Sequence, residues 1–516
     1  MELLEITLFL LLCAVVLGWL ARHFYFPYPI ALVVGGAVLG FVPHLPSLPF
    51  DPQFILVLVL PPILYQAALL TSWRDFKANF RPIGLLAIGL VIATTLAVGA
   101  VFKWLVPGCP WAAAFVLGAI VSPPDAVAAT AILSRLNIPR RVVTILEGES
   151  LVNDASGLVI YKFAVAAVLT GAFSIVDASL QFAALAVGGI VLGMLLAILF
   201  VAIHRRLGDT LIEVLTTLAV PYVAYILAEA VHVSGVLAVV AAGIVRGRYA
   251  PEIVSADTRI VARSAWNLEV FLLNSLVFIL IGLQVSEIVG RLEIASGMHL
   301  LLVGLMVSTV AILVRFAWIH PAAWMSRALG EQGMPENQLV IMSWCGMRGI
   351  VSLAAALALP LALPGGEPFP ERDTIIFVTF VVIFVTLVLQ GLTLPPLIRW
   401  LKVGSDWSLL DEHTRARNAL GTVAAAAIEK LAAAENASPE LAKRIRAEFA
   451  DKIAHATADG GASSGEGPRA GLAGRLRQAA LIAERQELLR LWRDNQISDE
   501  VLHHIEEDLD YQESHL

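Results

Sequence analysis

The chain has 516 residues, of which 58% are hydrophobic and only 15% charged, where soluble domains average about 25% charged. With a mean hydropathy of +0.80, this composition excludes a disordered chain and an ordinary soluble enzyme. Residues 404–516 hold 13 of the 35 Lys+Arg and 20 of the 42 Asp+Glu, so the net charge of −7 lies in that tail, which argues against nucleic acid or an anionic membrane surface as a partner.

Apolar stretches of roughly 20 residues, each able to cross about 30 Å of hydrocarbon, recur from residue 3 to about residue 402. They fall near 3–21, 28–42, 53–71, 82–105, 111–134, 142–170, 179–203, 210–229, 233–245, 265–288, 298–320, 337–361 and 373–402. This predicts an all-α polytopic membrane protein with about 13 transmembrane helices. The first stretch, Leu3 to Leu20, has no basic n-region and no clear cleavage site, so it reads as a retained span. Alternate loops carry the basic residues: Arg22; Arg74, Lys77 and Arg81; Arg135, Arg140 and Arg141; Arg205 and Arg206; Arg246, Arg248, Arg259 and Arg263; Arg327; Arg399 and Lys402. The other loops hold little beyond Lys103, Arg291 and Arg372. This bias predicts an N-terminus outside, an odd number of spans and a cytoplasmic tail. Cys13, Cys109 and Cys345 are far apart and read as small buried residues, with no disulfide or zinc spacing.

The composition divides the chain into a transmembrane domain at 1–403 and a soluble helical tail at 404–516. Within the tail, 409–435 and 438–456 read as amphipathic helices, and 456–473 as a flexible linker. A last helical stretch starts near Leu472, pauses around Asn495–Ser498 and resumes. Its stripe of Leu481, Leu488, Leu489 and Trp492 predicts packing within the tail, with a dimer or regulatory contact as the alternative.

Ionisable residues inside a span are unfavourable and mark function by default. The deep ones are Asp125, Glu149, Asp154, Lys162 and Arg348; Glu229, Glu269, Glu287 and Arg315 lie nearer predicted span ends, where snorkelling explains them. Lys162 is assigned no role, and His232 and His320 read as interfacial. Asp125 follows Pro123 and Pro124, which remove two backbone donors and break the helix. A break at membrane depth is tolerated where it lines a cavity; the plain alternative is a kink with Asp125 as a helix cap. In the next span Ser150 and Asp154 are i,i+4, as are Glu149 and Asn153, so four oxygen-bearing side chains share little more than one turn. Na⁺ takes hard oxygen ligands, and a buried carboxylate can hold a proton near neutral pH. Asp154 can therefore bind either ion but not both, unless the group is only a polar lock for the bundle. Arg348, flanked by Gly346 and Gly349, needs a carboxylate or carbonyl partner; Glu149 is the natural one and Asp125 the next.

These residues resemble the sodium/proton exchanger family, monovalent cation:proton antiporter-1 branch, bacterial type. The likeness rests on GluSerLeuValAsnAsp at 149–154, Asp125 on the broken span, GlyMetArgGly at 346–349, ValLeuGlnGlyLeuThr at 388–393 and LeuProProIleLeu at 60–64. It implies two inverted six-helix repeats with crossed broken helices, and a homodimer. It implies that Asp154 and Ser150 ligate Na⁺, that Asn153, Asp125 and the carbonyls of Val121 or Ser122 complete the cation/proton site, and that Glu149 and Arg348 form a structural ion pair. The Asn-Asp pair implies electroneutral 1:1 exchange of Na⁺, with Li⁺, for H⁺, without a cofactor; K⁺/H⁺ exchange is the alternative. Two departures bear on selectivity: Pro124 where the family often has Thr, and Gln66 where many members place an acid. Among other classes, a cation channel lacks a TVGYG-like filter here, and no HExxH, GxSxG or Walker motif marks an enzyme or ATP-driven pump.

Overall fold

Among the residues the structure describes, the only strand-like pairing is one isolated bridge between Ala362 and Pro368; the rest of the regular structure is helical. The structure, a computed structural model, describes residues 2–24, 27–42, 55–133, 136, 138–171, 174–290, 294–328, 333–363, 365–403, 407–456 and 472–514. Most of the linker expected at 456–473, and the side chain of Glu287, lie outside the described residues.

In chain order the first sixteen helices are α1 Glu2–His23, α2 Tyr28–Gly40, α3 Leu60–Leu70, α4 Trp73–Ala78, α5 Phe80–Leu105, α6 Trp111–Val121, α7 Ala126–Leu133, α8 Arg140–Thr170, α9 Ile175–His204, α10 Thr210–Ala230, α11 Gly235–Ile253, α12 Ala256–Gly290, α13 Ile294–Ala328, α14 Glu336–Trp344, α15 Ile350–Leu357 and α16 Arg372–Leu401. Seven of these (α5, α8, α9, α10, α12, α13 and α16) are long and apolar enough to cross a membrane. The predicted spans at 111–134 and 337–361 each consist of two half-helices, α6 with α7 and α14 with α15. Alpha-helical geometry loosens into π turns at Ile55–Val59, Leu85–Leu90 and Thr386–Gln390, a distortion common near functional sites.

The chain divides into two compact units. The membrane unit comprises Met1–Ile203, Thr216–Arg248 and Trp266–Ser405. Its two apolar cores join the half-helices to their neighbours: Ala128, Ile132, Leu146, Leu353 and Leu387 in one, Leu117, Ile120, Ala355 and Val382 in the other.

The second unit comprises His204–Leu215, Tyr249–Ala265 and Asp406–Leu516. It is not the tail alone, because the turn between α9 and α10 and the turn between α11 and α12 belong to it. Its tail helices are α17 Trp407–Ala434, α18 Pro439–Ala456, α19 Leu472–Arg493 and α20 Asp499–Ser514. Ala416, Leu420, Ala424 and Ile428 recur every fourth residue on α17 and are buried, the stripe that a 3.6-residue period brings to one face. Leu481 and Leu488 join that core, with Leu489 and Trp492 packed against it, so the stripe packs within the tail. The pause before α20 turns at Asn495, whose φ of 56° is left-handed, a conformation that Asn tolerates. Arg259 binds Asp510 through two nitrogens at 2.7 and 2.5 Å and approaches Glu506 at 3.5 Å. Arg263 pairs with Glu507, and Arg493 with Glu252 at 2.9 Å.

Candidate functional site

The two broken helices meet at their breaks. Pro123 and Pro124 supply no N–H to the ladder of α6, which stops at Val121. The second break, residues 345–349, has no proline. It depends on close approach: a Cβ on Gly349 would lie 1.7 Å from Asp125 Oδ2, and one on Gly346 would lie 2.8 Å from Arg315 Cδ. Only glycine fits between these side chains and the chain.

The breaks are cross-linked in both directions. The Asp125 N–H donates to Met347 O at 2.7 Å, and Arg348 Nε donates to Val121 O at 2.9 Å. Arg348 also donates to Gly346 O, and its own N–H donates to Thr386 Oγ1 at 3.1 Å. Asp125 Oδ1 accepts from the Val127 N–H at 2.8 Å, so the residue does cap α7. Its other oxygen lies against Gly349, where α15 begins. One carboxylate thus faces the N-terminal ends of both half-helices, where orphan N–H groups favour negative charge.

From α8, Glu149, Asn153 and Asp154 enter this region buried, and Ser150 half-buried. Asp154 is within Coulombic reach of Asp125. The Asn153 amide donates to Pro124 O at 2.9 Å, while its Oδ1 has no hydrogen-bond partner among the described residues. Ser122 is fully buried and donates to Ala119 O at 3.0 Å.

Three expectations need correction. Glu149 pairs with Arg315 and not with Arg348: Arg315 Nη1 and Nη2 bind its two oxygens at 2.5 and 2.7 Å, and Nε donates to Met342 O at 3.0 Å. Arg315 is therefore not a snorkelling residue at a span end. It is 1% exposed and stands thirteen residues before the end of α13, which continues through Pro321 to Ala328. The sequence pattern treats Pro321 as a stop, and that displaced Arg315 toward the membrane surface. Arg348 is instead satisfied by carbonyls, among them Val121 O, which was expected as an ion ligand and keeps a second lone pair. Gln66 makes a long hydrogen bond to Asn267 Oδ1, 3.5 Å. Lys162 is exposed and 3.7 Å from Glu229, and Glu269 accepts from the Tyr222 hydroxyl at 3.2 Å. Thr386, which binds the Arg348 N–H, had no sequence signal beyond its place four residues before Gln390.

Residues 9–400 match the family described as sodium/hydrogen exchanger, transmembrane. An uncharacterised Na⁺/H⁺ exchanger of Mycobacterium tuberculosis is 34% identical over 98% of this chain and 95% of its own length. A sodium, potassium, lithium and rubidium/H⁺ antiporter of Bacillus pumilus is 37% identical over 72% of this chain and 57% of its own length. The solved structure of the sodium proton antiporter MjNhaP1 from Methanocaldococcus jannaschii superimposes with a TM-score of 0.62, at 20% identity, covering 78% of this chain and 99% of that one. The chain thus belongs to the sodium/hydrogen exchanger family of membrane antiporters.

Proposed function

We propose that this protein exchanges Na⁺, and Li⁺ with it, for H⁺, one for one and without net charge movement, with cation and proton competing for Asp154. The observation that carries this reading is the set of ionisable groups gathered at the crossing. Asp125, Glu149 and Asp154 stand with Arg315 and Arg348. Three carboxylates against two guanidiniums leave one negative charge, which a single monovalent cation or a single proton balances. A buried charge left unbalanced is strongly unfavourable, so the site favours holding one mobile positive charge at a time. Asp154 supplies the carboxylate oxygen, with Ser150, Asn153 Oδ1 and Asp125 as neighbouring hard donors; the Glu149–Arg315 pair fixes α8 against α13.

The reading extends to thirteen spans as two inverted repeats in a homodimer in the cell membrane, with an outside N-terminus and a cytoplasmic tail. The loop charges support the orientation, and the paired breaks support the repeats. A second reading, K⁺/H⁺ exchange on the same fold, draws on the Bacillus pumilus relative named for four cations. A cation channel is the alternative of another class.

The test is reconstitution in vesicles with an internal pH dye and separate additions of Na⁺, Li⁺ and K⁺. Na⁺-driven proton movement is expected, unaffected by clamping the membrane potential, and reduced at least 100-fold by Asp154→Asn. Exchange that survives this substitution removes Asp154 from its role. Cation current without proton movement makes the protein a channel.

A further inference from the structure

Two peptide units at the crossing are held in series. The unit joining Pro124 to Asp125 accepts at its carbonyl from the Asn153 amide, 2.9 Å, and its N–H donates to Met347 O, 2.7 Å. That second carbonyl belongs to the unit joining Met347 to Arg348, whose N–H donates to Thr386 Oγ1 at 3.1 Å. Thr386 in turn donates to Val382 O at 2.8 Å, one turn back on α16. The bonds therefore run without a gap from Asn153 on α8, through both breaks, to Thr386 on α16.

A trans peptide is planar, with its N–H and C=O on opposite edges, so fixing one edge fixes the other. Every donor in the series points the same way, and each bond polarises the next in a low-dielectric interior. Asn153 and Thr386 are both completely buried, so neither end has bulk water as a substitute partner. Each clamp comes from the helix that follows its break: α8 follows α6 and α7, and α16 follows α14 and α15. The two ends differ in chemistry. Pro124 O can only accept, so it takes the Asn153 amide nitrogen and turns Asn153 Oδ1 away, and that oxygen has no hydrogen-bond partner among the described residues. The Arg348 N–H can only donate, so it requires an acceptor, and the Thr386 hydroxyl supplies one while giving its own proton to the helix.

We infer that Thr386 is a positioning residue for the cation: its hydroxyl fixes the peptide that holds the Asp125 backbone and, through it, the peptide that orients Asn153. This rests on the exchange reading above, in which Asp125 and Asn153 Oδ1 stand beside Asp154 as hard donors. Thr386 acts on the ion through those two residues, across the crossing from Asp154.

Three substitutions grade the acceptor. Thr386→Ser keeps the hydroxyl, Thr386→Cys offers a weak sulfur acceptor, and Thr386→Val keeps the shape but leaves the Arg348 N–H buried and unpaired. In reconstituted vesicles the KM for Na⁺ is expected within twofold of the parent for Ser, raised for Cys and raised at least fivefold for Val, while the maximal rate falls less than threefold. A threonine that only supports the fold would lower the maximal rate and the thermal midpoint and leave KM unchanged. A KM within twofold of the parent in all three variants overturns the inference; where Val does not fold, the comparison of Ser with Cys decides. Amide hydrogen exchange of residues 345–350 reads the same bond without transport. It is expected at least tenfold faster in Val, or measurably faster in Cys, than in Ser, and equal rates overturn the inference. Asp154→Asn assayed in parallel separates the two ideas, since survival of Na⁺-driven exchange there refutes the exchange reading while the amide rates still judge the role of Thr386.

Discussion

Arg259 in the tail unit and Arg315 in the membrane unit each grip one carboxylate with two nitrogens. Their surroundings differ. Arg259 is 11% exposed, and its partner Asp510 also receives Arg485 at 2.7 Å, while Arg485 reaches Glu513. Arg315 and Glu149 are each 1% exposed. The tail pair belongs to a shared network with water at its edge; the membrane pair has no such reserve. Burial of an ion pair contributes little net stability, but removing one partner strands the other. Equal geometry therefore predicts unequal consequences.

The largest effect is expected from Arg315→Met, which strands Glu149 and should cost about 3–5 kcal/mol. Thermal unfolding in detergent reads it, and Arg315→Met with Glu149→Met should recover most of the loss. A double variant no more stable than the single one means that the pair is not isolated. Gly349→Ala comes next, because its Cβ would meet Asp125 Oδ2 at 1.7 Å. Exchange in vesicles should fall at least tenfold, with overpacking costing roughly 1–3 kcal/mol; unimpaired exchange would show that the Asp125 carboxylate can move aside freely. Arg259→Gln should be milder, about 1–2 kcal/mol, since Asp510 keeps Arg485. Amide exchange of residues 499–514 should quicken while Na⁺/H⁺ exchange stays within a few-fold of the parent. A loss as large as that of Arg315→Met would erase the contrast between the units.

The smallest effect is a pH dependence confined to the tail. His413 lies 3.2 Å from His504 between helices α17 and α20, and burial, with the Arg417 charge beside it, pushes it down to about 4. An unfolded tail takes up that proton below about 6.5, while the folded tail does not. The contribution is present above 6.5 and is lost as pH falls toward 4. Glu506 acts the other way, since burial raises it above the usual carboxylate range. His413→Gln should flatten the loss of α20 protection between pH 7 and 5, after correction for intrinsic exchange rates. An unchanged slope would assign the dependence to other groups.

Much of this arrangement was legible in the chain because the cause was local. Pro123 and Pro124 break one helix wherever the rest of the protein lies, and i,i+4 spacing places Ser150 with Asp154 on one face of α8. Asn495 likewise announces the turn before α20. What failed was long-range or continuous. The Glu149–Arg315 pair joins residues 166 apart in sequence, and no local pattern chooses between two arginines. Its true partner was hidden because α13 carries Pro321 without ending there. The arginines of 249–265 have a further role, since Arg259 and Arg263 meet the acids of α20, while their sequence signal was only that of a basic loop.

The reciprocal bonds at the crossing constrain motion. Met347 O holds the Asp125 N–H, and Val121 O holds Arg348 Nε, so each break supplies the other with what its own helix lost. Pulling the two breaks apart would orphan backbone groups on both at once, at membrane depth, where water is scarce. The two broken helices are thus riveted into one piece. If exchange proceeds as proposed, a movement that exposes Asp154 to either side in turn would keep these two bonds and carry the crossing as one body.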